Sequence, residues 1–151
     1  MGGHEREIAA LFDAVLAARG VGTSYHSIVT VRGEILHNPE YRNPLADGDL
    51  LLLDGGAETA SGYASDVTRT WPVNGRFTAR QRDMYELVLR ANELGIGMCR
   101  VGTRYADIHW AATRCLAEGL RDVGLLRGKV DTLVESGAVG TFFPHGVGTS
   151  S

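Results

Sequence analysis

The stretch LLLLDGGAETASGYASDVTRTWP, residues 50–72, decides how this chain is read. The four consecutive leucines, Leu50 to Leu53, leave no polar face, so the run predicts a strand buried on both sides. Asp54 ends that run, and a bare carboxylate at the end of so apolar a strand is costly without a partner. Gly55-Gly56 predicts a bulge or a close approach of backbones. Thr59 to Gly62 predicts a turn, and Tyr63 to Trp71 the returning strand, closed by Pro72 and Asn74-Gly75. Asp66 comes twelve positions after Asp54, on that returning strand, so a hairpin sets the two carboxylates near one another. Alternate residues of a strand share a face, which groups Asp66, Thr68 and Thr70 opposite Val67, Arg69 and Trp71.

Two facing carboxylates repel, and a divalent metal removes the conflict. Two metals bridged by carboxylate are a common hydrolytic arrangement, and an oxygen-rich set favours ions such as Mn²⁺ over thiolate-type zinc. Spacing alone leaves a second reading open, in which Asp54 caps a turn and Asp66 pairs with Arg69 or another base.

Outward from this hairpin, the periodicity predicts a helix over Glu5 to Ala18, with Ile8, Leu11, Phe12, Val15 and Leu16 on its apolar stripe. The β-branched run within Tyr25 to Val31 predicts a strand, and Glu34 to His37 a second short extended piece before Asn38-Pro39. Thr78 with Gln81 makes a capping box for the next helix, whose stripe is Met84, Leu87, Val88, Ala91 and Leu94 and which frays at Gly95 and Gly97. Another helix begins at Thr103 or Tyr105 and turns Ile108, Ala111, Ala112, Cys115, Leu116 and Leu120 inward. Val130 to Leu133 is ambiguous, and Thr141-Phe142-Phe143 reads as a strand leading into Pro144-His145-Gly146-Val147-Gly148. The fold class is α+β, antiparallel hairpins packed against helices.

The chain has 151 residues, which suits one domain. Its net charge of -3, with no run of like charges, argues against nucleic acid and anionic membranes as partners. No apolar run approaches a membrane span, and the opening MGGHERE has no apolar region of the kind a secretory leader carries. Gly2 invites a myristoylation reading, but Arg6 stands where Ser or Thr is wanted. Cys99 and Cys115 form no Cys-x-x-Cys and read as packing thiols in a reducing cytosol, so a cytoplasmic location is expected.

Asp54-Gly55-Gly56-Ala57-Glu58, the run from Gly62 through Thr78, and Gln81 together resemble the aminopeptidase P family, which comprises Xaa-Pro aminopeptidases and Xaa-Pro dipeptidases of the pita-bread fold. Ile35-Leu36-His37 upstream and Phe142-Phe143-Pro144-His145-Gly146-Val147-Gly148 downstream extend the resemblance from about Glu5 to Gly148. It implies that Asp54 is the first metal ligand and Asp66 a bridging ligand between two divalent ions, Mn²⁺ before Zn²⁺ or Co²⁺. It implies that His37 lines the substrate site. His145 matches the first histidine of the family's His-Gly-x-Gly-His motif, which contacts substrate and reaction intermediate. The second histidine of that motif is a ligand in the family, and Thr149 stands there, followed by Ser150-Ser151. Two further glutamate ligands of the family lie beyond the positions matched, so two of five ligands are expected in this sequence. The whole of residues 1–151 is therefore expected to be a partial catalytic domain, the first half of a pita-bread fold, truncated at both ends relative to the family and inactive alone.

The function implied is metal-dependent release of the N-terminal residue before proline, from a proline-containing peptide. The alternatives are a Xaa-Pro dipeptidase, or a non-catalytic pita-bread binding module that has lost ligands. Methionine aminopeptidase or creatinase-like chemistry is a further possibility, against which Val73-Asn74-Gly75-Arg76-Phe77 favours the Xaa-Pro branch. Apolar surface left by half a fold suggests a homo-oligomer. Of the other histidines, His4 reads as solvated, His26 as a satisfied structural histidine in a strand, and His109 as surface or packing. No His-Glu-x-x-His is present, and Ser65 has no Gly-x-Ser-x-Gly around it. Thr68 reads equally as an ordinary strand residue or as a hydrogen-bond donor to a ligand carboxylate.

Overall fold

Leu50 to Leu53 lie in the central strand of a three-stranded antiparallel sheet. In this computed structural model, which describes residues 3–148, that strand is β5 (Leu50–Gly55), flanked by β3 (Ile28–Thr30) and β7 (Val67–Pro72). The register places Asp54 opposite Ile28 on one side and opposite Thr68 on the other. Two short antiparallel pairs accompany the sheet: β1 (Gly3–His4) with β4 (Pro44–Leu45), and β2 (Gly22–Thr23) with β6 (Ala57–Glu58). The expectations at Gly2, Thr149, Ser150 and Ser151 fall outside the described residues.

The chain divides after Thr78 into two units. In the first, helix α1 (Glu5–Ala18) packs on the sheet, with Ala9, Val29 and Leu51 at the centre of the core. A Cβ added to Gly55 would come within 2.8 Å of the Phe12 ring, so glycine there is what lets α1 sit close to β5. The stripe expected on α1 is partly corrected. Ala9 is buried and Ile8, Phe12 and Leu16 are half-buried, but Leu11 and Val15 face solvent.

Glu5, the first residue of α1, has no exposed surface at all. Its carboxylate accepts from the Val31 amide at 2.8 Å, the Asn43 amide at 2.9 Å and the Asn43 side-chain amide at 2.9 and 3.1 Å. Burial pushes this carboxyl up, and the hydrogen bonds from Asn43 and Val31 outweigh it, leaving the pKa below the usual range. One buried charge thus ties the start of α1 to the end of β3 and to the loop before β4.

The second unit is helical: α2 (Ala79–Met98), α3 (Tyr105–Asp122), the short α4 (Val130–Glu135) and a 3₁₀ turn over Ala138–Thr141. Leu87, Ala91, Leu116, Ala117, Leu120, Leu133 and Val139 form its core. Leu87 seats in a notch made by Gly119, where a Cβ would lie 2.1 Å from Leu87 Cδ1. Three expectations are corrected here. Helix α2 runs through Gly95 and Gly97 to Met98, because Gly95 is buried against Ile108 and packing outweighs glycine's low helix propensity. Val88 and Leu94 are exposed. Thr141-Phe142-Phe143 is no strand: the backbone turns there, with the Phe142 amide donating to the Val139 carbonyl in a 3₁₀-type bond and the Phe143 amide donating to the same carbonyl four residues back.

Cys115 is half-buried as expected of a packing thiol, whereas Cys99 is exposed at the end of α2. Among the described residues, no helix is long and apolar enough to cross a membrane.

Candidate functional site

Asp54 and Asp66 meet on one hydroxyl. The Tyr25 phenol lies 2.7 Å from Asp54 Oδ1 and 2.8 Å from Asp66 Oδ1, within donating distance of both carboxylates. Thr68, directly opposite Asp54 in the ladder, donates its hydroxyl to the same Asp54 oxygen at 3.0 Å. The hairpin expected from the sequence thus brings the two carboxylates together, and the hydroxyl of Thr68 is aimed at one of them. Asp66 itself lies just before the paired strand, which begins at Val67 and not at Tyr63. Arg69 turns the other way and donates to the Thr68 carbonyl at 2.8 Å.

The local backbone explains why the carboxylates converge. Between β5 and β6, Gly56 lets the chain pass against Ser65: an added Cβ would stand 1.7 Å from the Ser65 carbonyl oxygen and 2.2 Å from Ser24 Oγ. The Ser24 hydroxyl donates to that same carbonyl at 2.7 Å, and the Ser65 amide donates to the Ala57 carbonyl at 2.9 Å. The segments before Tyr25, after Asp54 and before Asp66 are therefore bound to one another around a side-chain-free position. The close approach read from Gly55-Gly56 is this one.

Little in the sequence marks Tyr25. It precedes the strand β3, so strand parity says nothing of its direction. Burial and the adjacent Asp54 and Asp66 carboxylates push its hydroxyl well above the ordinary tyrosine range. It therefore stays a proton donor, and its single proton, in reach of both Oδ1 atoms, offsets part of the repulsion between the carboxylates. Asp54 and Asp66 fit the carboxylate part of an oxygen-rich metal set. Among the described residues, no three His, Cys, Asp or Glu side chains gather into a cation cage, so the set is not closed there.

His37 lies in a turn over residues 33–37, where the expected extended piece is absent; the Ile35 amide donates back to the Arg32 carbonyl at 2.9 Å. Its φ of 53° is the sole positive value at a non-glycine among the described residues. Histidine tolerates that region better than most side chains, and such backbone strain clusters at functional positions. His26 precedes β3 and is satisfied structurally. Its Nε2 lies 3.1 Å from the Pro39 carbonyl and 3.2 Å from the Tyr41 hydroxyl, and its ring stacks on Tyr41.

His145 belongs to the second unit, on an exposed loop after Phe143. That loop walls a cleft of about 340 Å³ whose opposite sides are Val88 and Ala91 of α2 and Ala112 and Leu116 of α3. His109 is half-buried in α3 and packs against Phe143, as the packing reading expects.

Comparison with known proteins bears on the family and the fold. The model of metallopeptidase family M24 matches residues 1–150. The Xaa-Pro aminopeptidase of Haemophilus influenzae is 46% identical over 127 residues, covering 83% of this chain and 29% of that protein. That of Escherichia coli is 42% identical over 126 residues, covering 82% of this chain and 28% of that protein. Among solved structures, Pseudomonas aeruginosa aminopeptidase PepP superimposes with a TM-score of 0.89 at 38% identity, covering 93% of this chain and 32% of that one. Zinc-substituted E. coli aminopeptidase P in complex with product gives a TM-score of 0.91 at 37% identity, covering 95% of this chain and 33% of that one. The chain thus spans less than a third of the length of the curated relatives named here. With an α+β architecture that follows part of the pita-bread fold of aminopeptidase P and a matching sequence over nearly its whole length, the chain belongs to metallopeptidase family M24.

Proposed function

We propose that this chain carries part of the machinery for releasing an N-terminal residue before proline from peptides, in a metal-dependent hydrolysis. The observation that carries the reading is the meeting of Asp54 and Asp66 on the Tyr25 hydroxyl, at 2.7 and 2.8 Å. In this reading Asp54 and Asp66 are the carboxylates that hold a divalent pair, Mn²⁺ by preference of the oxygen donors. When bound, such a pair supplies Lewis-acid polarisation and an acidified water. Tyr25 and Thr68 orient the two carboxylates through their hydroxyls. His37 lines the place of the peptide, and His145 donates a hydrogen bond to the oxygen on which charge develops. The remaining ligands come from outside residues 3–148, and the chain alone is inactive. Its setting is the cytoplasm.

Manganese titration followed by electron paramagnetic resonance, paired with hydrolysis of a Xaa-Pro peptide, tests this. The expected result is weak Mn²⁺ binding that is lost in Asp54→Asn and in Asp66→Asn, with no residue released. Binding indifferent to both substitutions would remove the ligand assignment. Tight binding of two ions, or release that depends on metal, would show that the site is completed within this chain or between copies of it.

A further inference from the structure

Helix α3 opens with Tyr105 and carries His109 four residues later, on the same helix face. Both side chains reach the loop that holds His145. The Tyr105 hydroxyl donates to the Val147 carbonyl. The His109 ring stacks on Phe143, with centroids 5.6 Å apart and planes 20° apart. One turn further along, the Thr113 hydroxyl donates to the His109 carbonyl at 2.8 Å, with His109 Nε2 3.5 Å away.

The two glycines of the loop record how close the helix comes. A Cβ on Gly148 would lie 1.9 Å from Tyr105 Oη, and one on Gly146 would lie 3.0 Å from the His109 ring. Their φ values of 71° and 75° also call for glycine. In the pattern His145-Gly146-Val147-Gly148 the glycines are called for by the left-handed backbone, and they also let the loop lie close against two particular side chains.

We infer that Tyr105 and His109 are positioning residues: together they latch the loop of residues 144–148 and set where His145 presents its ring. The functional weight of the latch rests on the substrate role proposed for His145; its geometry does not. An exposed loop without ladder hydrogen bonds must otherwise be ordered each time a peptide arrives, and a pre-set loop avoids that entropy loss.

Amide hydrogen exchange over residues 142–148 of the full chain tests the latch. Tyr105→Phe deletes only the hydroxyl, and losing one such hydrogen bond is expected to raise exchange in the loop about three- to tenfold. Protection at Ala112, Leu116 and Leu120 in the same helix should stay unchanged. His109→Ala should raise loop exchange in the same way. Gly148→Ala should also loosen the loop, and should add less on top of Tyr105→Ala than it does alone, because the oxygen it strikes is gone. Unchanged loop exchange in Tyr105→Phe and His109→Ala, or strict additivity in the Gly148 and Tyr105 pair, would overturn the latch. Titration of the wild-type chain with a Xaa-Pro dipeptide, followed through the His145 ring resonances, addresses the substrate role separately. Absence of binding with the exchange pattern intact would leave the latch standing.

Discussion

The two units of this chain hold their functional residues by different physics. In residues 3–78 the decisive contacts are polar and long-range. Glu5 binds Val31 and Asn43, Tyr25 binds Asp54 and Asp66, and Ser24 binds Ser65. In residues 79–148 the frame is apolar, with Leu87 seated against Gly119 and the His145 loop lying on the side of a helix. A ladder with fixed register can aim Asp54 and deliver Asp66, the residue just before β7, to within a hydrogen bond of one oxygen. A helix pair cannot impose register on a loop, so the loop depends on individual side chains that reach out to it. Removing one buried group from each unit should therefore fail in different ways.

The largest effect is expected from Glu5→Ala. It strands the Val31 amide and the amides of Asn43 in a buried place, and should cost about 4 kcal/mol by urea unfolding, since hydrogen bonds to a buried charge and orphaned donors both count. The pH dependence carries the same sign. The folded pKa of Glu5 is lowered, so its contribution is fully present above the unfolded pKa and is lost as pH falls through the folded one. Glu5→Ala should therefore flatten the acid limb of the stability profile. An acid limb identical to wild type would break the claim that this carboxylate is the clamp.

Next comes Leu87→Ala, which empties the notch at Gly119 and should cost about 3 kcal/mol with no change in acid sensitivity. Leu87 is 1% exposed, so a cost under about 1 kcal/mol would mean that the helices collapse into the space and that the apolar frame is looser than drawn. The smallest effect is expected from Tyr25→Phe, about 1 kcal/mol in thermal unfolding. It should also make added Mn²⁺ raise the melting temperature more than it does in wild type. With the shared donor gone, a cation is left to relieve the repulsion between Asp54 and Asp66. Equal Mn²⁺ responses would argue that the phenol does not mediate between the carboxylates.

Much of this architecture follows from local pattern. The bounds of α1 at Glu5 and Ala18 and the inward face of α3 answer to periodicity. The strand over Leu50 to Asp54 answers to its apolar run, but the expectation of burial on both faces is corrected: only Leu51 of the four leucines is buried, and the strand runs on to Gly55. The nearness of Asp54 and Asp66 follows from local pattern too, because an antiparallel hairpin has little freedom once its turn is placed. The errors share a cause. Phe142 and Phe143 are β-formers by propensity, but no strand pairs with them and the Val139 carbonyl takes their amides instead. Gly95 and Gly97 signal a helix end locally, and contact with α3 carries α2 past them.

The sequence by itself determined the fold class, the family, the carboxylate pair and the two glycines after His145. These depend on residue type, on short spacings and on strand alternation, all of which are written along the chain. Only the tertiary structure decided that Tyr25 joins the carboxylates, that Glu5 is a buried clamp, and that Tyr105 and His109 lie against Gly148 and Gly146. These links join positions from 26 to 42 residues apart. A single side chain at that separation leaves no periodic trace, because its partner is selected by packing in three dimensions and not by its neighbours in the chain.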